Sequence, residues 1–194
     1  MNTRDEILRL GEGLMRTQGF NAFSYYHLAD ALKLRPAAVH YHFPTKDALA
    51  LSIINQSRER FAAFTAKAAH EPDLQKRLIL FVGSFSADAA EDRICMVGAT
   101  GADFNSFSDE TRTAVQLLVT EILAWLGTLL RDGRVSGVFT FDGTPRTRAM
   151  LLATNMAASL HMARILGKRE IQRIADQLLK DICTPKINSK RNEK

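Results

Sequence analysis

Two histidines around a tyrosine, with a lysine four residues on, are the groups in this chain whose types and spacing most invite chemistry. They are His40-Tyr41-His42 and Lys46, inside "PAAVHYHFPTKDAL", Pro36 to Leu49. Three chemistries are open to such a set. Paired imidazoles can hold a metal ion, can act as a base cluster, or can join the tyrosine and lysine in a surface for a polyanion. A second candidate is Cys95 in "RICMVGATGADF". A helix N-terminus and a neighbouring cation such as Arg93 lower a thiol pKa, which would suit a sensor of oxidants or electrophiles. The alternative is a buried structural cysteine.

The elements that must carry these residues narrow the choice. Pro36 suits the first turn of a helix, and Pro44 breaks it after Phe43. On that helix His40 and His42 stand about 200° apart and cannot converge on one metal. No cysteine or further histidine lies within helical reach, so no metal site is expected. The five histidines (27, 40, 42, 70 and 161) are otherwise isolated, and no H-E-x-x-H, C-x-x-C, phosphate-loop or dinucleotide fingerprint is present. Neither a catalytic set nor a cofactor is expected. Val39 and Phe43 share the inward face. Tyr41, Ala37 and Ala38 face outward, where small residues let a helix sink into a groove and their methyls can meet thymine methyls. Tyr41 is placed for a base or sugar, with His40 and His42 for phosphates on either side, unless they are merely exposed or packed. Thr45 caps the next helix, and Lys46 in its first turn adds charge to free backbone N–H groups that already favour an anion.

Helical periodicity extends through the chain. Residues 3–18 repeat Ile7, Leu8, Gly11, Leu14 and Met15, and Gly19 stops that helix. Ser24 caps a short helix from Tyr25 to Leu32, and Lys33-Leu34-Arg35 is a tight connection to the third. Three helices within about 45 residues have the footprint of a helix-turn-helix. Longer helices follow at 45–69, 73–90, 109–131, 145–166 and 169–183, with a short one at 96–104 and a loop of partly extended character at 132–143. The expectation is an all-α protein of about nine helices. A helix-turn-helix unit occupies 1–48, a larger helical unit 49–185, and a polar, disordered tail 186–194.

Bulk properties agree but decide little. The chain has 194 residues, 46% hydrophobic and 24% charged, with a net charge of +5. The first 60 residues hold eight Lys/Arg against six Asp/Glu, so a nucleic-acid partner must be argued from geometry rather than from a basic run. Two cysteines make no disulfide framework. The N-terminal "MNTRDEILRL" is charged and amphipathic, and no uninterrupted apolar run of membrane length occurs. A cytoplasmic protein with reduced thiols and no membrane partner is expected.

The segment "TRDEILRLGEGLMRTQGFNAFSYYHLADALKLRPAAVHYHFPTKDAL" resembles the DNA-binding region of the TetR-family transcriptional regulators. The resemblance spans about 47 residues and includes Gly19-Phe20, Leu28-Ala29, the Val39–Phe43 helix and Phe43-x-x-Lys46-x-x-Leu49. It implies double-stranded operator DNA as partner, a homodimer through the last two long helices, and a small-molecule effector held in the larger unit. By the resemblance Tyr25 matches a backbone-contacting position and Tyr26 a base-contacting one; both are alternatively surface aromatics packed on the reading helix. The family commonly has tyrosine where this chain has His40, and Ser or Thr where it has Arg35-Pro36. Arg35 contacts a phosphate or a guanine, or is a solvated turn residue. The expected effector pocket draws on Phe64, Phe85, Cys95, Met96, Phe104 and Trp125, with Asn155 and His161 as polar anchors, and so suits an apolar or aromatic effector. The function implied is a ligand-responsive regulator, most simply a repressor. The contrasting class is a helical enzyme or ligand carrier whose first helices are structural.

Overall fold

The computed structural model describes residues 2–183. Met1 and residues 184–194, and with them the expected polar tail, lie outside the described residues. Nine α-helices appear among the described residues: α1 (Thr3–Thr17), α2 (Tyr25–Ala31), α3 (Pro36–His42), α4 (Lys46–Ala68), α5 (Leu74–Ala90), α6 (Met96–Ala102), α7 (Asp109–Val135), α8 (Pro145–Leu166) and α9 (Arg169–Lys180). Single 3-10 turns sit at Phe20–Ala22 and Phe104–Ser106. The partly extended loop before α8 makes only one isolated bridge, Phe139 to Cys183.

The ends of these helices follow their capping residues. Asn2, Thr45, Asp73, Ser108 and Thr144 each accept a backbone N–H from the first turn of the helix they precede. Pro36 and Pro145 occupy first-turn positions, where a missing N–H costs nothing. Gly19 ends α1 with φ +102°, a conformation few side chains tolerate. Lys33 takes φ +54° in the turn between α2 and α3, so the helix-turn-helix turn is made without glycine. Two helices depart from expectation at their ends: α7 continues past Arg131 to Val135, whereas α9 stops at Lys180, short of Cys183.

Buried residues form two cores. The first joins Ile7, Leu8, Met15, Leu28, Val39, Phe43, Leu49 and Ile53 to Met96, Phe107, Ala114, Val115 and Leu118. The N-terminal helices therefore share their interior with α6 and the first half of α7. The second core gathers Leu78, Phe81, Phe85, Leu126, Leu130, Leu152, Met156, Leu160 and Ile171 from α5 and α7–α9. The expected division at residues 48 and 49 falls inside α4, which runs unbroken from Lys46 and feeds both parts. Helices α7 and α8 are long and apolar enough to cross a membrane by length and composition alone. Here part of their apolar surface builds these cores, and part, including Leu151 and Ile165, is exposed.

Candidate nucleic-acid interface and internal cavity

Helix α3 is seven residues long and is seated by Val39 and Phe43, both fully buried. Its opposite side stands clear of the protein. Tyr41 is 84% exposed and Tyr26, at the start of α2, 73% exposed. Large aromatics left in water at that level invite a partner surface. Ala37, His40 and Arg35 are exposed beside Tyr41, while Ala38 and His42 are half-buried. The two imidazoles diverge. His40 lies edge-on to Tyr25, with ring centroids 4.7 Å apart, and His42 lies edge-on to Tyr41 at 5.2 Å. His40 Nδ1 stands 3.3 Å from the Pro44 carbonyl oxygen, to which it donates as the Nδ1–H tautomer. This closes the C-terminal end of α3, where a hydrogen-bond donor satisfies a free carbonyl.

Tyr25 and Lys46 turn inward. Tyr25 is only 7% exposed, and its hydroxyl donates to the Phe43 carbonyl oxygen at 2.9 Å, with the Thr45 carbonyl sharing the proton. Burial pushes its pKa up to about 12. Lys46 donates to the Phe23 carbonyl oxygen, and its ammonium lies 4.6 Å from the Phe20 ring centroid and 4.3 Å from that of Phe23. Burial lowers its pKa from the ordinary lysine value, with Asp103 opposing. Lys46 thus clasps the connection between α1 and α2 from the start of α4. Asp103 clasps the same connection from the end of α6, accepting from the Phe20 backbone N and the Asn21 amide at 2.8 Å each. Beside Lys46, Asp47 accepts from the Ser108 backbone N at 2.9 Å, the Ser108 hydroxyl at 2.6 Å and the Thr111 hydroxyl at 2.8 Å. Burial alone would raise the Asp47 carboxyl. The Ser108 and Thr111 bonds, with Arg112 nearby, outweigh it and hold the carboxyl below its ordinary value. The start of α4 is therefore fastened to the start of α7.

A cavity of about 360 Å³ lies between α1, α4, α5, α6, α7 and α8, within the range of small-molecule sites. Phe64, Phe85, Cys95 and Met96 line it, as their sequence positions suggest, and so do Phe61 and Phe81. Trp125 stands outside it, edge-on to Phe64 at 5.4 Å, in a more open groove between α4 and α7 that the Arg58–Glu121 ion pair spans. The other three expected lining residues lie elsewhere. Phe104 packs against the first core. Asn155 is exposed on α8, its amide bonded to the Leu151 carbonyl at 2.7 Å. His161 is also exposed. Cys95 differs from expectation in a second way. Burial is the dominant influence and raises its pKa, against smaller lowering effects from the Gly98 N–H and Arg16. An N-terminal helix position does not make a thiolate here, because the thiol is too dry.

Sequence reasoning missed the polar end of this cavity. Glu12, Arg16, Arg60, Asp88, Ser57 and Ser84 all line it. Glu12 and Arg16 are 9% and 8% exposed, joined to each other at 3.3 Å, and Arg16 also pairs with Asp88. The available signal was an i, i+4 charge pair beside the apolar stripe Leu8, Gly11, Met15. Such a pair ordinarily reads as a solvated edge.

An exposed tyrosine-bearing helix on a three-helix head, tied to a helical unit with its own cavity, is an arrangement that can read DNA in one part and a small molecule in the other. Residues 7–53 match the family model of bacterial regulatory proteins, tetR family. Residues 7–53 therefore carry the DNA-binding region of the TetR family. Among curated proteins, the HTH-type transcriptional repressor NemR of Escherichia coli (strain K12) is 20% identical over 159 residues, 78% of each chain. The solved structure of a TetR-family transcriptional regulator from Agrobacterium tumefaciens superposes with a TM-score of 0.88 at 23% identity, covering 93% of this chain and 97% of that one. The reduced form of Escherichia coli NemR superposes with a TM-score of 0.74 at 19% identity, covering 96% and 100%. The fold of these regulators thus extends over the described chain, and residues 7–53 give it the DNA-binding unit of a transcriptional regulator.

Proposed function

We propose that this regulator is a cytoplasmic repressor that leaves its operator when a small, largely apolar or aromatic effector enters the cavity of about 360 Å³. The observation that carries the DNA half is Tyr41, held 84% exposed on a helix whose other face is fully buried. In this reading α3 enters the major groove, with Ala37, Ala38 and Tyr41 toward bases and Arg35, His42 and Tyr26 toward bases or backbone. His40 and Tyr25 act chiefly by fixing α3 against Pro44, Phe43 and Thr45. Lys46 braces the head in this conformation and reaches a phosphate only by leaving Phe23.

Two copies are needed to read two half-sites, about 34–36 Å apart. Helix α8 offers the surface. Leu151, Asn155, Ala158, Met162 and Ile165 repeat at helical spacing and are all exposed, and α9 lies alongside α8. Small and apolar residues in one stripe suit a helix–helix seam.

The effector acts through the elements that the cavity touches. Helix α4 carries Phe61 and Phe64 in the cavity wall and Lys46 at the reading head. Helices α6 and α7 carry Asp103 and the Ser108 cap that Asp47 grips. An occupant that moves any of the three changes the spacing of the two heads, and operator affinity falls by the difference in its affinity for the two states. Selection of bound sequences from random DNA, then gel shifts with candidate aromatic compounds, tests this. Sequence-selective, salt-dependent binding that some of these compounds relieve is expected; binding indifferent to sequence would overturn it.

A further inference from the structure

The cavity has two unlike ends. One is hydrocarbon, where Phe61, Phe64, Phe81 and Phe85 stand in a chain with successive centroids 6.1, 6.5 and 5.5 Å apart. The other is ionic, with Glu12 and Arg16 buried and Asp88 half-buried. There, every nitrogen of the Arg16 guanidinium is directed at a protein acceptor: Nε at the Ile94 carbonyl oxygen (2.8 Å), Nη1 at Glu12 Oε1 (3.3 Å) and Nη2 at Asp88 Oδ2. Arg60 spends Nη2 on Glu12 Oε1 at 2.7 Å and on Ser57, and Nη1 on Gln56.

The carboxylates are used unevenly. Glu12 receives both arginines on Oε1, and Asp88 receives Arg16 on Oδ2. Glu12 Oε2 and Asp88 Oδ1 take none of these bonds, although an ionised carboxylate has about four acceptor positions. These unused carboxylate oxygens give this end spare capacity for a hydrogen-bond donor. The aromatic wall leans the same way, since ring faces attract cations and not anions.

We propose that the Glu12–Asp88 end of the cavity is the head-group subsite for an effector with a flat aromatic body and a hydrogen-bond-donor head, a protonated amine or a phenol. We further infer that α1 senses this head directly. The proposal rests on the regulator reading above. Glu12 and Arg16 belong to α1, inside the DNA-binding head. Arg16 ties that head to α5 through Asp88 and to the segment before α6 through Ile94. A donor seated between the two carboxylates shares them with Arg16 and slackens this tie. The signal then reaches the reading head without passing along the length of α4.

The test uses the full chain and four bicyclic probes, the three substituted ones sharing one position: naphthalene, 2-naphthol, 2-naphthylmethylamine and 2-naphthoic acid. Calorimetry without DNA is expected to show the amine and the phenol binding about tenfold or more tighter than naphthalene, with the acid no tighter than naphthalene. Glu12→Gln and Asp88→Asn should cost the amine more than the phenol, because a carboxamide still accepts a hydrogen bond but carries no charge. The acid binding tightest, none of the four binding at millimolar concentration, or a donor advantage that survives both substitutions would overturn the subsite. If either variant fails to fold, the wild-type series alone decides. Gel shifts separate the two layers of the argument. Donor probes that bind without weakening operator binding refute sensing by α1. A protein that binds donor probes but has no specific operator refutes the regulator reading and leaves the head-group chemistry standing.

Discussion

Tyr25, His40 and Lys46 show how a single side chain can belong to a recognition motif and yet work from inside it. Each lies in the segment that contacts DNA in this family, and each is spent on the protein itself. The Tyr25 hydroxyl holds the Phe43 and Thr45 carbonyls at the break between α3 and α4. Tyr25→Phe should therefore cost stability, about 1–2 kcal/mol in chemical denaturation, while leaving the DNA-facing surface chemically unchanged. The pH dependence follows from its raised pKa of about 12. The folded state holds the phenolic proton more tightly than the unfolded chain, whose tyrosines titrate near about 10. The stabilisation is complete below pH 10 and is lost as pH rises toward 12. The stability gap between wild type and Tyr25→Phe should shrink across that window and stay constant below it. None of this inwardness was legible in the sequence. Tyr25 and Tyr26 are adjacent and identical in type, and only the packing of α2 on α3 decides that one is buried and the other bare. Tyr41 was legible, because Val39 and Phe43 fix which side of α3 must face in.

Elements were easier to read than contacts. Capping residues and prolines placed the helix starts to within a residue or so at α4, α5, α7 and α8, since those signals are local. The end of α7 was harder. It extends to Val135, after which the chain turns at Ser136-Gly137, with Gly137 at φ +74°, and Val138 and Phe139 fold back onto Gly133. A Cβ at Gly133 would sit 2.0–2.8 Å from Phe139 ring atoms. Phe139 is buried, and its backbone N donates to the Gly133 carbonyl at 3.0 Å. Gly133→Ala should force this ring out of the second core and cost about 1–3 kcal/mol, the range for overpacking, read as a lowered thermal midpoint. The cavity follows the same division. Its aromatic wall came from periodicity, with Phe64 and Phe85 in sight. Its ionic end did not, because Glu12, Arg60 and Asp88 lie on three helices whose relative placement no local pattern encodes.

At the scale of the molecule, the two cores divide the chain differently from its motifs. The DNA-binding helices are not an appended head but share an interior with α6 and the start of α7. The sequence boundary at 48 marks where the motif stops, not where packing stops. In the proposed mechanism, communication from cavity to head therefore needs no long lever. The proposed dimer is the other whole-molecule requirement. Ile165 is 72% exposed on α8, and Ile165→Glu should convert a dimer into a monomer in sedimentation velocity. Loss of the second half-site contact should then weaken operator binding by about 10²- to 10⁴-fold. A variant that stays dimeric would move the seam off α8.

The central claim is that α3 reads DNA through Tyr41 while its buried face holds it in place. The most direct measurement is the affinity of wild type and Tyr41→Ala for the selected operator and for random duplex of equal length, each at several salt concentrations. Tyr41 is 84% exposed, so the substitution should leave the fold intact. The account predicts that operator affinity falls by about 5- to 150-fold, equivalent to about 1–3 kcal/mol, with random-sequence affinity and the salt slope unchanged. Equal losses on both DNAs, or no loss on either, would contradict it.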